Sequence, residues 1–230
     1  MQIRALLLLF VVFTGSVFAN NLIVKNAPVL PYTINLVPTN KKLVALTFDD
    51  GPHVKHTKKI LKILKKNKAK GTFFLIANQC EKHPELTRSI LKGGHEVGNH
   101  SYAHLPYPKL NKSDRLIDIA QSQKVFKSQT GTFPRYFRAP YGKMNKESKS
   151  VIKRFFKHHI SWTIDPKDWE EKKENVTEYI SQNIQPGAII LLHETNKDML
   201  KTLPLLVTEL KSQGYSMVTI SKLLEEYETY

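Results

Sequence analysis

Asp49 and Asp50 stand side by side where the apolar run Leu43–Phe48 ends, and Gly51-Pro52 follows at once. The run reads as a buried strand and Gly-Pro as the turn that stops it. Two carboxylates held beside an apolar core repel each other, and they persist when a cation or an arginine compensates them. An ordinary acidic turn has the same composition. His100 and His104 are four residues apart. On a helical turn that spacing puts both imidazoles on one face, where they can grip one metal, although surface or capping histidines share the spacing. With Asp50 they make two imidazoles and a carboxylate with a position left for water. That is the ligand set of catalytic zinc, which brings the pKa of such a water to about 7. Other divalent ions with open positions fit too. Asp49 is then free to serve as a general base, and Arg138 is a credible partner that holds it. His193 suits protonation of an amine leaving group. Asp165 could pair with His193 and raise its pKa. Taken singly, His193 could be a core histidine and Asp165 a helix cap.

What favours the chemical reading is position along the chain. From Lys42 onward, strand-like and helix-like segments alternate. Strands are expected at Lys42–Asp50, Thr72–Ile76, Glu96–His100, Tyr136–Ala139, His159–Ile164, Ala188–Leu192 and Tyr215–Ile220. Helices are expected at Lys58–Asn67, Pro84–Leu91, Ser113 (as cap) to about Gln129, about Lys146–Phe156, Val176–Asn183, Met199–Gln213 and Ser221–Tyr227. About seven βα units imply a parallel sheet, closed as a barrel or open and doubly wound. No glycine-rich phosphate loop follows any strand, which weakens an open nucleotide-binding fold. Asp49, Asp50, His100, Arg138, Asp165 and His193 all fall just after strands. In a barrel those strand ends share one face, where active sites are built.

The 230 residues, 41% hydrophobic and 24% charged, suit one globular domain with a sizeable core. The formal net charge of +15 suggests an affinity for anionic surfaces or simply a lysine-rich composition spread along the chain. No nucleic-acid motif accompanies it, so nucleic acid is not an expected partner. Residues 1–19 read as a secretory signal peptide: Arg4, the apolar stretch Ala5–Phe13, and small residues up to Ala19. The stretch is too short for a comfortable membrane span. An exported, periplasmic, wall-associated or secreted protein is expected, with 20–41 as an extended leader or short edge strands. The lone cysteine, Cys80, has no intramolecular partner, and a buried idle thiol is expected. Asn111-Lys112-Ser113 and Asn175-Val176-Thr177 match the N-glycosylation pattern.

Five segments together resemble, in order, the motifs of the polysaccharide deacetylase family (carbohydrate esterase family 4, the NodB-homology domain). They are Thr47-Phe48-Asp49-Asp50-Gly51-Pro52, His100-Ser101-Tyr102-Ala103-His104, Arg138-Ala139-Pro140-Tyr141, Asp165-Pro166-Lys167-Asp168-Trp169 and Leu191-Leu192-His193. The likeness runs from about Lys42 to Tyr227, and a catalytic domain is expected over 42–228. The resemblance implies a distorted (β/α)7 barrel of the α/β class. It implies that Asp50, His100 and His104 bind a divalent metal, zinc first, and that Asp49 is the base. It further implies that Arg138 orients Asp49, Asp165 tunes His193, and His193 protonates the leaving nitrogen. The Tyr141 backbone N–H would help bind the oxyanion, while Trp169 and Leu191 would wall the acetyl group. The activity so implied is hydrolysis of N-acetyl groups on an extracytoplasmic polysaccharide: peptidoglycan first, then chitin-type or another exopolysaccharide. O-acetyl removal, glycan binding without turnover, and hydrolysis of a small non-sugar amide are the other classes to separate.

Overall fold

A computed structural model describes residues 30–170 and 175–228. The signal peptide expected at 1–19 lies outside the described residues. The long strand β2 (Leu43–Gly51) is buried along nearly its whole length and has neighbours on both edges. β3 (Gly71–Leu75) pairs on one side and β7 (Ile189–His193) on the other, both parallel to it. The near-continuous apolar runs in all three are what double-sided burial in a parallel sheet demands. The sheet continues through β4 (Glu96–Asn99), β5 (Tyr136–Phe137) and β6 (His158–Ile160). With β1 (Thr33–Ile34) at one end, its order is β1-β6-β5-β4-β3-β2-β7, and every strand pair along it is parallel. β8 (Ser216–Met217) stands off this path and pairs with the start of β2.

All seven expected strands are present, although β5 and β8 are two-residue pieces of longer expectations. The eighth strand, β1 (Thr33–Ile34), comes from the 20–41 extension and pairs with β6. Single bridges close the ring: Ile164 meets Ile190, and Leu36 meets Ala188. A barrel closed on one side by isolated bridges rather than a full ladder is a distorted one.

Helices cover the outside: α1 (Thr57–Lys66), α2 (Ala77–Lys82), α3 (Pro84–Lys92), α4 (Lys112–Thr130), α5 (Lys146–Ile152), α6 (Val176–Asn183), α7 (Met199–Ser212) and α8 (Ile220–Glu228). α1 buries Ile60 and Leu64 and leaves its lysines in solvent, as its pattern requires. α4 begins two residues earlier than expected, because its cap is Asn111, whose side chain accepts from the Asp114 N–H, and not Ser113. Gly131 ends it at φ +75°, a left-handed cap. Asn175 caps α6 by accepting from the Thr177 and Glu178 N–H groups. Both asparagines of the glycosylation pattern are therefore helix caps. Cys80 is fully buried, and burial pushes its thiol up to about 12, which makes it inert.

Because the strands run parallel, the ends that carry Asp49, Asp50, His100, Arg138 and His193 all open on the same side of the sheet.

Candidate active site

β2 delivers two adjacent carboxylates to different surroundings. Asp49 is buried, and its Oδ1 accepts from Arg138 Nη1 at 2.7 Å. Arg138 is wholly buried and spends its other donors on Thr47 Oγ1 (2.7 Å), Ile160 O (3.1 Å) and Ser161 O (3.0 Å). Its guanidinium lies 4.2 Å from the Phe74 ring centroid. This fork fixes Asp49 and leaves Oδ2 toward His100, 3.7 Å from Nε2.

Asp50 takes a left-handed backbone, φ +68°, which sends its carboxylate toward the two histidines. Its Oδ1 lies 3.5 Å from His100 Nε2 and 3.2 Å from His104 Nε2. Burial alone would raise the Asp50 carboxyl. The imidazoles of His100 and His104 outweigh that and hold it below the usual range.

The two histidines do not share a helical turn. They sit on the loop after β4, with Ser101 at φ +71° and His104 at φ +55°. The loop is held by Asp118 on α4, which accepts from the Tyr102 N–H (2.9 Å), the Ala103 N–H (3.1 Å) and the Tyr107 hydroxyl (2.7 Å). His100 Nδ1 faces the Arg138 carbonyl at 2.8 Å. A carbonyl only accepts, so Nδ1 carries a proton and donates to it, which leaves Nε2 as the ring atom turned to Asp50.

The ligand atoms of Asp50, His100 and His104 all lie within 4.8 Å of one another. Asp50 Oδ1 is buried without a hydrogen-bond partner. Two imidazole nitrogens around an unsatisfied carboxylate oxygen suit a zinc-type divalent cation, so the residues present fit the metal.

His193 ends β7, and its Nδ1 faces Asp168 Oδ1 at 2.7 Å. Asp168 also accepts from the His193 backbone N–H (3.0 Å) and from Asn196 Nδ2 (3.3 Å). Burial opposes a charged imidazole, but the Asp168 hydrogen bond and the nearby Asp49 overcome it and push His193 up to about 9.

Asp165 is not the partner of His193. Its Oδ1 accepts from the Lys167 N–H at 2.9 Å, a local turn that ties the carboxylate to its own backbone. Lys167 then takes φ +50°, and the chain turns Asp168 inward, where it is buried. In Asp165-Pro166-Lys167-Asp168-Trp169 both acids were on view, but spacing alone does not tell which one caps the turn.

A cavity of about 570 Å³ opens above these groups, lined among others by Asp49, Asp50, His100, His104, Asp165 and His193. Tyr141, Trp169 and Leu191 line it as well. Tyr141 has φ +59° and lays its ring 4.7 Å from that of His104. Trp169 is 60% exposed, a free aromatic face, while Leu191 is buried at the floor. Trp162 also lines the cavity; a methyl at Gly142 would meet its ring at 2.3 Å, so glycine permits that approach. Trp162 carried no signal in sequence beyond being aromatic. His95 stays apart, accepting from the Gly71 N–H and packing edge-on to Phe73.

Comparison with known proteins agrees with this fold. The family model described as polysaccharide deacetylase matches residues 36–159. The peptidoglycan-N-acetylglucosamine deacetylase PgdA of Listeria monocytogenes is 38% identical over 189 residues, which make up 82% of this chain and 40% of PgdA. The chain thus spans well under half the length of that relative. The solved structure of the Bc1960 peptidoglycan N-acetylglucosamine deacetylase superposes with a TM-score of 0.79 at 31% identity, covering 84% of this chain and 93% of that one. BA3943 of Bacillus anthracis, described as a family 4 carbohydrate esterase pseudoenzyme, superposes equally well, with a TM-score of 0.79 at 31% identity over 86% of this chain and 70% of its own. The fold is therefore shared by proteins with and without activity, and function has to be argued from the residues of the site. From its matched model, and from relatives 31% and 38% identical over more than four fifths of its length, the chain belongs to the polysaccharide deacetylase family.

Proposed function

We propose that this chain is a metal-dependent hydrolase that removes N-acetyl groups from the amino sugars of an extracytoplasmic polysaccharide, peptidoglycan foremost, and releases acetate. The observation that carries the reading is the division of labour across one cavity: Asp49 gripped by Arg138 on one side, His193 gripped by Asp168 on the other. Pairs of titratable groups with opposed surroundings mark acid and base assignments.

A divalent cation held by Asp50, His100 and His104, zinc foremost, would polarise the acetyl carbonyl and acidify a water. Asp49 takes the proton from the attacking water through Oδ2, because Oδ1 is committed to Arg138. The water oxygen bonds to the acetyl carbon, and the carbonyl oxygen becomes an oxyanion. The Tyr141 N–H is the backbone donor assigned to it. His193 then gives a proton to the sugar nitrogen, the C–N bond breaks, and acetate and a free amine result. A proton donor lifted to about 9 is charged at neutral pH and suits an amine better than an alcohol. Trp169 and Tyr141 offer ring faces to a sugar, and Leu191 walls the acetyl methyl.

Relatives that act on peptidoglycan, together with the signal-like N-terminus, support a wall polymer as substrate and a place outside the cytoplasm. The test is acetate release by zinc-loaded protein from peptidoglycan, N-acetylglucosamine oligomers and acetylated xylan, with Asp50→Ala and chelator as controls. Release from a glycan that both controls abolish is the expected result. Binding of glycan without acetate would sink the enzyme reading and place the chain with the silent relatives.

A further inference from the structure

Glu194 follows His193 and is completely buried, yet the reaction just described does not use it. Its polar groups all turn to one segment. Its N–H donates to the Asp49 carbonyl at 3.0 Å, and its carbonyl accepts from His56 Nδ1 at 2.6 Å. Its Oε2 accepts from Thr57 Oγ1, which in turn accepts from the His53 N–H at 2.7 Å. Its Oε1 is buried with no partner, and a methyl group at Gly51 would stand 1.9 Å from it. The carboxyl therefore fills the space left by the missing side chain of Gly51, directly after the metal ligand Asp50. On the other side, the Gly51 carbonyl accepts from the Ile76 N–H at 2.8 Å. Asp50 itself has φ +68°, a conformation that costs a non-glycine residue on the order of 1 kcal/mol and persists only where its surroundings impose it.

We infer that Glu194 is a positioning residue for the metal ligand Asp50: packed under Gly51 and bonded to residues 49–57, it imposes the Asp50 backbone and so sets cation affinity without touching the cation. The inference rests on the metal-centre reading of Asp50, His100 and His104. It couples the two halves of the site, since the residue after the proton donor steadies the loop of the ligand. Residues behind a ligand typically change metal affinity about 10–100-fold when lost.

The experiment measures the zinc dissociation constant by chelator competition, and the visible spectrum of the cobalt form, in the whole chain. Wild type and Asp50→Ala come first; if the two bind zinc alike, the metal-centre reading and this inference both fall. Given a loss in Asp50→Ala, Glu194→Ala is expected to bind zinc about 10–100-fold more weakly with an altered cobalt spectrum. Glu194→Gln, which keeps size and an acceptor for Thr57, should restore most of the affinity. Ile180→Ala, a buried truncation on α6, controls for general loss of stability, read as the thermal midpoint of the metal-free protein. Zinc affinity within twofold of wild type in Glu194→Ala, or an equal loss in Ile180→Ala, overturns the inference while leaving the metal centre standing. Should Glu194→Ala fail to fold, Gly51→Ala drives a methyl into the intact carboxyl, and unchanged affinity there overturns it equally.

Discussion

Asp49 and His193 are register partners. β2 and β7 run parallel, and the Cα of Asp49 stands opposite that of His193. Two adjoining strand ends thus place a carboxylate and an imidazole at one cavity mouth, each with its own support: an arginine behind the acid and a carboxylate behind the imidazole. A parallel pair is a rigid way to hold the proposed base and acid on either side of a reacting amide.

The support behind His193 predicts an alkaline limit. Its pKa is raised from 6.5 to about 9, so the proton it donates is present at neutral pH and is lost as pH rises through that value. A cation at Asp50 repels a charged imidazole, so in the loaded protein the limb falls below pH 9. The sign is the same for stability: a raised pKa stabilises the fold below about 6.5, and that contribution disappears as pH climbs to about 9. kcat against pH is expected to show this falling limb, and the limb should move down in Asp168→Asn. An unmoved limb would mean that another group supplies the proton.

Asp168 and Asp165 separate cleanly. Asp168→Asn removes the charge that orients and holds the imidazolium, and kcat should fall about 10²–10⁴-fold, the range for loss of a positioned acid. Asp165→Asn disturbs an exposed turn and should cost less than about tenfold by the same scale. Steady-state acetate release with both variants decides it, and the reverse ranking would restore Asp165.

Much of this was legible beforehand, for a physical reason. Strands buried on both sides must be apolar, so the run before Asp49 and the run before His193 announced themselves, and polar residues at their ends stood out. What lay hidden depended on loops. The loop after β4 is built on left-handed Ser101 and His104 and on Asp118, a residue from a helix 14 positions further along from His104. Helical spacing of His100 and His104 anticipated that the two imidazoles cluster with Asp50, but through the wrong local structure. In the segment after β6, two acids competed, and only the fold shows that the nearer one is used up by its own turn. Glu194 gave no signal at all, because a glutamate after a histidine is unremarkable until its burial is known.

Asp118 carries a prediction of its own. It is buried and accepts from two loop N–H groups and the Tyr107 hydroxyl. Asp118→Ala leaves all three donors unpaired, and each buried orphan costs about 1–3 kcal/mol. The metal-free protein should unfold at lower urea, and zinc affinity should drop about 10–100-fold because the loop bears two of the three proposed ligands. Urea titration and chelator competition read the two effects separately. Weakened stability with full zinc affinity would show that the loop holds its shape without Asp118.

Arg138 is the most exacting of the buried groups. Its guanidinium meets four acceptors, Thr47 Oγ1, Asp49 Oδ1, Ile160 O and Ser161 O, with no exposure to solvent. Arg138→Met keeps the volume against Phe74 but leaves Asp49 without its counter-charge. Breaking one half of a buried pair costs about 3–5 kcal/mol, against a total stability of about 5–15 kcal/mol for a typical domain. Arg138→Lys restores the charge, yet an ammonium has three donors and no planar fork, so it cannot serve four acceptors spread over β2 and the end of β6. Urea unfolding should therefore rank wild type first, Arg138→Lys second and Arg138→Met last. kcat should fall in both variants, because Asp49 loses the bond that keeps Oδ2 on the cavity. If Arg138→Lys matched wild type in both measurements, the fork would be dispensable, and a bare positive charge would be enough to hold the base.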